Sequence, residues 1–179
     1  LMNILAGRFP DYTGKVRLDD DEVRLTHPRQ ARRLGIAVIH QDLSLLPNLT
    51  VAENIMLGEE HSRPWTRRLD RRTLRDEAAR AIERLGFDLD PEARVGDLGT
   101  ARQYLVEITG AIRRNSRLIV FDEPTASLGQ EDVDRLFEVI WDLKGHGIGI
   151  VYISHRLAEL ECIADRVTDM VIGYGGSVS

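Results

Sequence analysis

Apolar and polar residues follow two different patterns along the chain. Three short runs, at residues 36–39, 118–121 and 148–153, are almost wholly apolar and predict strands buried on both faces of a sheet. In several of the stretches between these runs, apolar residues recur three or four positions apart, as on one face of a helix. Strands that alternate with helices indicate an α/β fold with a parallel sheet.

Start and stop residues bound most of the predicted elements. Helices are predicted at residues 1–5 before Gly7, at 29–34 between Thr26-His27-Pro28 and Gly35, at 133–143 before Lys144-Gly145, and at about 157–163. Residues 15–25 predict an antiparallel hairpin with Asp19 to Asp21 as its turn. A last strand is predicted near residues 167–172.

The middle of the chain has a mostly helical pattern. One predicted helix carries its apolar residues on a single face: Leu74, Ala78, Ala81, Ile82 and Leu85. Thr100 is predicted to cap a further helix. Because this region separates two core strands, we expect an inserted α-helical subdomain at residues 49–115. The core then comprises residues 1–48 and 116–179 of a single domain, with a small antiparallel β piece.

Composition narrows the classes of protein that fit. The 179 residues are 42% hydrophobic and 30% charged, which is typical of a folded globular domain. The net charge of −5 argues against a nucleic-acid partner. No apolar run approaches the roughly 20 residues that a membrane-spanning helix needs. The single cysteine excludes an internal disulfide and fits a reducing compartment.

Polar residues follow each of the three predicted core strands: Gln41, then Asp122 and Glu123, then His155. The ends of parallel strands lie on one edge of a sheet, so these side chains can converge. An amide, two carboxylates and an imidazole suit a Mg²⁺-nucleotide. Taken singly, each has an ordinary alternative: an acidic turn, a loop glutamine, or a histidine that starts a helix.

At these positions the chain resembles the nucleotide-binding subunits of ATP-binding-cassette (ABC) transporters, which implies a P-loop NTPase-like fold. Asp122-Glu123-Pro124-Thr125 resembles the Walker B region with its catalytic glutamate, Gln41 the Q-loop glutamine, and His155 the switch histidine. Residues 37–43, 46–55 and 152–157 resemble the first cassette of bacterial importers of the ribose, xylose and galactose type. The resemblance extends over essentially the whole chain.

The resemblance implies an ATPase that uses ATP and Mg²⁺ to power sugar import. Asp122 and Gln41 would hold Mg²⁺ through water. Glu123 would orient or deprotonate the attacking water, and His155 would hydrogen-bond the γ-phosphate. Both are therefore candidate catalytic residues.

The resemblance also implies partners and a location. Transmembrane permease subunits would be contacted through the segment after Gln41, here roughly residues 42–55. A second ABC cassette, on the same chain or in a homodimer, would close over the ATP. A periplasmic sugar-binding protein would take part indirectly. The implied location is peripheral, on the cytoplasmic face of the inner membrane.

Three motifs depart from the family pattern. No G-x-x-x-x-G-K-[ST] loop (Walker A) occurs; residues 1–7 resemble the helix after that loop, so we expect the loop to precede Leu1. We therefore expect these 179 residues alone to lack ATPase activity. The Leu-Ser-x-Gly-x-Gln signature corresponds to Leu98-Gly99-Thr100-Ala101-Arg102-Gln103, and the D-loop to Ala126-Ser127-Leu128-Gly129 without its usual aspartate. The implied contacts with the partner's ATP are Gly99, Thr100, Ala101, Gln103 and Ser127.

Two other interpretations remain. The altered signature is compatible with a non-hydrolysing cassette that serves as a regulatory or assembly partner, although Asp122, Glu123, Gln41 and His155 would then have little use. A soluble ABC protein of translation or DNA repair is disfavoured by the importer-like segment after Gln41 and by the acidic charge balance.

Overall fold

The computed structural model of the chain describes residues 1–57, 71–126 and 128–169. Within them the helices are α1 (Met2–Leu5), α2 (Pro28–Arg33), α3 (Val51–Met56), α4 (Arg71–Arg84), α5 (Thr100–Arg113), α6 (Gln130–Gly145) and α7 (Leu157–Ile163). The strands are β1 (Val16–Leu18), β2 (Asp21–Val23), β3 (Ile36–Ile39), β4 (Leu118–Asp122) and β5 (Gly149–Ile153). A 3-10 turn, Val95–Asp97, precedes α5. The predicted α/β fold class is confirmed.

Strands β3, β4 and β5 form a parallel sheet with β4 in the centre. Ile39 at the end of β3 lies beside Phe121, and Asp122 at the end of β4 lies beside Ile153 of β5. All three strands therefore end at one edge. The apolar runs predicted the three strands correctly, and β4 is covered on both faces, with Val120 and Phe121 fully buried. The prediction that β5 is buried on both faces was wrong, because its residues are half-buried or exposed.

Helices cover both faces of this sheet. On one face, Ile119 and Phe121 pack in a cluster with Ile108 of α5 and Ile140 of α6. On the other face, Val120 packs with Ile36 of β3. The same cluster includes Leu5 of α1, Leu25 just after β2, and Ala31 of α2. The alternation of neighbouring β4 residues between the two clusters is the period-2 geometry of a strand.

Helices α3, α4 and α5 have an apolar cluster of their own. Its buried members are Val51, Ala52, Ile55, Ala78, Ile82, Leu89, Val95 and Val106. Helix α3 begins with a capping box, in which Thr50 accepts from the Glu53 amide and the Glu53 carboxylate accepts from the Thr50 amide. Helix α5 contributes to this cluster and to the one against the sheet, so it joins the two regions.

The hairpin is confirmed with a tighter turn than predicted. Strands β1 and β2 are antiparallel, and only Asp19 and Asp20 form the turn, with φ of 51° and 67°. Two consecutive residues with positive φ suit a two-residue hairpin loop, which aspartate tolerates. Asp21 belongs to β2, so its assignment to the turn was wrong.

The capping residues of two helices also differ from the prediction. Thr100 is the first residue of α5, and Gly99 is the N-cap, without a side-chain hydrogen bond. Helix α6 continues through Gly145 and is capped by His146, and Gly147, with φ of 78°, makes the turn into β5. The prediction took Gly145 as the residue that ends α6, but Gly145 lies inside the last turn. Gly147 is the glycine that supplies the left-handed conformation.

The last predicted strand has no support in its first half. Residues 167–169 are not in a strand, and residues 170–172 lie outside the described residues. Among the described residues, no helix is sufficiently long and apolar to cross a lipid bilayer.

Candidate active site

The carboxylates of Asp122 and Glu123 lie where β4 leaves the sheet. The Glu123 amide donates to the Ile153 carbonyl at 3.0 Å, which extends the pairing with β5 by one residue. Glu123 nevertheless has a φ of 46°, in the left-handed region. This conformation costs a residue with a Cβ about 1–2 kcal/mol and is often found at functional sites. The chain therefore turns sharply at Glu123.

The structure brings Glu123 and His155 together. Oε2 of Glu123 lies 3.5 Å from Nδ1 of His155. His155 follows the end of β5 by two residues, so both groups reach the same edge from adjacent strands. Their side chains are 40% and 68% exposed, so a ligand at this edge has access to both.

Asp122 and Gln41 are placed differently. Oδ2 of Asp122 lies 3.6 Å from Nδ1 of His40, the residue that follows β3. Gln41 is exposed, and among the described residues its side chain has no hydrogen bond; only its backbone carbonyl is used, by the Tyr104 hydroxyl at 3.5 Å. Sequence reasoning missed the contact of His40 with Asp122, although its position next to Gln41 at a strand end was a usable signal.

Helix α5 anchors the segment after Gln41. The Ser44 amide donates to Oε1 of Glu107 at 2.8 Å, one helical turn from Tyr104. Burial, with added repulsion from Glu107, Asp42 and Asp122, raises the pKa of Tyr104 to about 12, so its hydroxyl remains a donor at neutral pH. Burial also raises the pKa of Glu107. The spacing of apolar residues in α5 did not predict these contacts, because they are made by polar groups of Tyr104 and Glu107 on a largely buried helix.

The same segment is fixed at its far end and borders a cavity. Asn54 of α3 accepts from the Leu46 amide at 2.8 Å and donates to the Leu46 carbonyl at 3.0 Å. A cavity of about 370 Å³ opens beside the segment. Its polar and apolar lining includes His40, Ser44, Leu45, Asn54, Glu107 and Arg114.

Four of the remaining predicted residues lie at the start of α5, away from the site at the sheet edge: Gly99 is its N-cap, and Thr100, Ala101 and Gln103 are in its first turn. Gly99 and Thr100 are exposed, and Ala101 is half-buried. The Gln103 amide turns back and donates to the carbonyls of Val95 and Leu98, both at 3.1 Å. Within the described chain, none of these four residues contacts Asp122, Glu123 or His155 through a hydrogen bond or ion pair. Ser127 lies outside the described residues.

A buried carboxylate lies behind the Glu123–His155 pair. Glu159, in the first turn of α7, is 7% exposed and accepts hydrogen bonds from four side chains. The donors are Thr125, Tyr152, Ser154 and Arg156. Burial alone would raise the pKa of Glu159, but the hydrogen bonds outweigh it and lower this pKa. Sequence reasoning did not identify Glu159.

Comparison with protein families identifies the chain's relationships. The sequence model described as "ABC transporter" matches residues 1–126, which is more than half of the chain. The chain belongs to the ABC transporter family. The resemblance inferred from its motifs is confirmed, and ATP-binding proteins of this ABC family are ATPases.

The ABC relatives include proteins named for sugar import. The chain is 45% identical over 170 residues to a putative ribose/galactose/methyl galactoside import ATP-binding protein 1 from Burkholderia lata, covering 95% of this chain and 33% of the relative. It is 48% identical over 173 residues to ribose import ATP-binding protein RbsA 3 from Rhizobium meliloti (strain 1021), covering 97% of this chain and 33% of the relative. The chain thus spans about a third of the length of these curated ABC relatives.

Solved ABC structures share the fold. An ATP-binding cassette of an ABC transporter in its ADP conformation matches with a TM-score of 0.74 at 25% identity, over 90% of this chain and 67% of that one. A nucleotide-free ATP-binding cassette matches with a TM-score of 0.75 at 24% identity, with the same coverage. The parallel sheet and small antiparallel sheet are therefore those of an ABC ATPase cassette.

An ABC ATPase implies Mg²⁺ together with ATP, and Asp122 fits the role of a Mg²⁺ ligand. Within the described residues, no group of three or more His, Cys, Asp or Glu side chains is arranged to hold a metal by itself. Mg²⁺ does not require such a group, because it is usually held by one or two carboxylates, water and substrate phosphates. Asp122 supplies one carboxylate, 33% exposed, at the same edge of the sheet as Glu123 and His155.

Proposed function

We propose that the chain is part of an ATP-hydrolysing subunit that powers import of a monosaccharide across the bacterial inner membrane. The observation that carries this proposal is the carboxylate–imidazole pair of Glu123 and His155, 3.5 Å apart at the edge where three parallel strands end. Ligands of open α/β sheets bind at this edge. The sugar-import names of the relatives support the choice of cargo.

In the proposed reaction Glu123 acts on the water that attacks the γ-phosphate. Its carboxylate is accessible, and the turn at Glu123 places it beyond the last backbone pairing with β5. It would orient that water and accept its proton. His155 would donate a hydrogen bond to the γ-phosphate, and its contact with Glu123 holds the two groups together.

Mg²⁺ would supply charge neutralisation at the β- and γ-phosphates. Asp122 would bind it through water, and Gln41 would do so once ATP is present. The exposed Gln41 side chain can rearrange, because among the described residues only its backbone carbonyl is engaged. ATP is the substrate, and Asp122, Glu123, Gln41 and His155 are its proposed contacts in this cassette.

A second cassette is proposed to complete the site in trans. Gly99 and Thr100 are exposed at the start of α5, where they are accessible to another protein. With Ala101, Gln103 and Ser127 they would face the ATP held by the partner cassette. Gln103 would act by fixing the loop, since its amide is bonded to Val95 and Leu98.

Permease subunits are the proposed membrane partners, which places the protein at the cytoplasmic face of the inner membrane. They would contact the segment after Gln41, which is anchored by Glu107 and Asn54 and borders the 370 Å³ cavity. We retain the division into a core, residues 1–48 and 116–179, and a helical subdomain, 49–115. The separate apolar cluster of α3 and α4 supports it. A periplasmic sugar-binding protein would act only through the permease, and no nucleic acid is involved.

The test is ATP turnover by the complete gene product, assembled with its permease, with any second ATP site inactivated. Glu123→Gln should lower turnover by about a hundredfold or more, as expected for loss of a general base, while ATP binding persists. His155→Ala should also impair turnover. Glu131→Gln, at an exposed position in the first turn of α6, is the matched control. Unchanged turnover in Glu123→Gln refutes the proposed chemistry.

The altered loop favours a second candidate, a non-hydrolysing cassette that regulates or assembles with an active one. Gly99 lacks the hydroxyl of the family signature, and Ala101 replaces its second glycine. The same preparation separates the two functions. ATP binding without turnover in the unmodified protein favours the regulatory cassette, and turnover that depends on Glu123 favours the ATPase.

A further inference from the structure

Glu159 is a buried carboxylate with a hydrogen-bond set of its own. Its Oε1 accepts from the Thr125 hydroxyl at 2.8 Å and from Arg156 at 3.3 Å. Its Oε2 accepts from Ser154 at 2.8 Å and Tyr152 at 3.0 Å. A buried charge is costly unless it is paired and hydrogen-bonded, and here every neighbouring hydroxyl donates to it.

Two of these donors belong to the segments that carry the candidate catalytic residues. Thr125, 2% exposed, lies two residues after Glu123. Ser154 lies directly before His155, and its hydroxyl also accepts from the Arg156 amide at 3.0 Å. Glu159 thus links the loop after β4 to the turn after β5 through one carboxylate.

The Glu123–His155 pair cannot hold its own geometry. Both side chains are substantially exposed, and exposed ion pairs contribute between nothing and about 1 kcal/mol. The separation of the two groups must then be set by the backbone segments beneath them. Between these segments, Thr125, Glu159 and Ser154 form a buried side-chain bridge, which the Tyr152 hydroxyl also contacts at Thr125 and Glu159.

We propose that Glu159 is a positioning residue, which fixes the Glu123 loop against the His155 turn and so sets the geometry for hydrolysis. The inference rests on the proposed ATPase function. Glu159 itself is only 7% exposed, and its two oxygens are occupied by side-chain donors, so it is given no contact with substrate. Its removal should therefore lower the rate of the chemical step and leave ATP affinity nearly unchanged.

Tyr152 distinguishes positioning from mere stabilisation. Its hydroxyl bonds the same Oε2 of Glu159, at 3.0 Å, but its backbone is already held in β5 by the pairing with Phe121. Tyr152→Phe removes its hydrogen bonds with Glu159 and Thr125 but leaves the bridge from Thr125 through Glu159 to Ser154 in place. Thr125→Val removes the link to the Glu123 loop with little change of shape, and Thr125→Ser keeps it.

The experiment measures kcat and KM for ATP in the complete gene product with its permease, for Glu159→Gln, Thr125→Val, Thr125→Ser and Tyr152→Phe. Glu159→Gln and Thr125→Val should lower kcat by about tenfold or more and change KM by less than about twofold. Thr125→Ser and Tyr152→Phe should stay within about threefold of the unmodified protein. Thr125→Val serves if Glu159→Gln fails to fold.

Hydrogen–deuterium exchange of peptides spanning residues 123–126 and 153–156 gives a readout independent of turnover. Both should exchange faster in Thr125→Val and not in Tyr152→Phe. Equal losses of kcat in Thr125→Val and Tyr152→Phe, or no loss in either, overturn the positioning role. If the unmodified protein does not hydrolyse ATP, the proposed function fails. Exchange alone then decides whether Glu159 links the two segments, and unchanged exchange in Thr125→Val overturns the link.

Discussion

Replacing Glu159 with glutamine should destabilise the fold near neutral pH and have progressively less effect in acid. Burial opposes the charge of this carboxylate, but hydrogen bonds from Thr125, Ser154, Tyr152 and Arg156 outweigh it and hold the pKa of Glu159 below its ordinary value of 4.5. A depressed pKa means that the folded state favours the ionised form. The resulting stability is fully present above the pKa of the unfolded chain and is lost as pH falls through the lower pKa of the folded chain.

The magnitude follows from what glutamine can still do. It keeps one acceptor oxygen and replaces the other with an amide NH2 group, so the hydroxyls on that side lose their acceptor and the bridge between Thr125 and Ser154 is weakened, although each hydroxyl can still turn a lone pair to the amide. Hydrogen bonds to a charged acceptor are worth about 1.5–3 kcal/mol and neutral ones about 0.5–1.5. Arg156 is half-exposed and adds little. Relief of the buried charge offsets part of the loss, which leaves a net destabilisation of about 1–2 kcal/mol.

The assay is urea unfolding of the complete gene product at several values from about pH 7 to about pH 2.5, so that the series extends well below the ordinary pKa of 4.5, followed by circular dichroism. Glu161→Gln, an exposed glutamate on the same helix, is the matched control and should unfold like the unmodified protein throughout. Equal stability of Glu159→Gln and the unmodified protein at pH 7 contradicts the reasoning. So does a deficit that stays constant as the pH falls.

Two further predictions concern other parts of the fold. Glu107→Gln should be as stable as the unmodified protein at pH 7, or more stable. Burial raises the pKa of Glu107, so its ionisation costs stability as pH rises through the folded-state pKa, while the glutamine oxygen can still accept from the Ser44 amide. In urea unfolding any gain should vanish below about pH 4, and a large loss of stability at pH 7 contradicts this prediction. Gly7→Ala should lower the free energy of unfolding by about 1–3 kcal/mol, because Gly7 has a φ of 66° and an added Cβ would lie 2.6 Å from a neighbouring carbonyl. Gly14→Ala, with a φ of 105° and no atom within 4 Å of the added Cβ, is the comparison and should show the backbone strain alone.

The sequence predicted the elements whose burial is periodic. The central run, which became β4, was predictable because its middle residues, Ile119 to Phe121, are covered by helices on one face or the other. From there the approach of Glu123 and His155 followed from topology alone, since parallel neighbours end at the same edge. Their distance of 3.5 Å could not be predicted, because it depends on the turn at Glu123 and on its positive φ.

The missed features depend on single contacts between distant residues. Glu159 accepts a hydrogen bond from a residue 34 positions earlier in the sequence and others from residues within seven positions of it. These spacings follow no regular period. The hydrogen bonds from Tyr104 to the Gln41 carbonyl and from the Ser44 amide to Glu107 likewise each join residues 63 positions apart. The shift of the α5 cap from Thr100 to Gly99 is of another kind, because a cap is set by one residue's backbone conformation and either residue could have supplied it.

The departure at the signature loop is independent of the fold of this chain. An added Cβ at Gly99 would meet no atom within 4 Å, and its φ of −63° is open to any residue, so the fold does not require glycine there. The contacts of α5 with the sheet and with the segment after Gln41 begin at Tyr104, one turn further along the helix. The chain can therefore keep its core, the sheet edge with Glu123 and His155, and the anchored segment whatever residue occupies position 99. The change at position 99 therefore bears on what contacts this exposed loop and not on the fold of the chain.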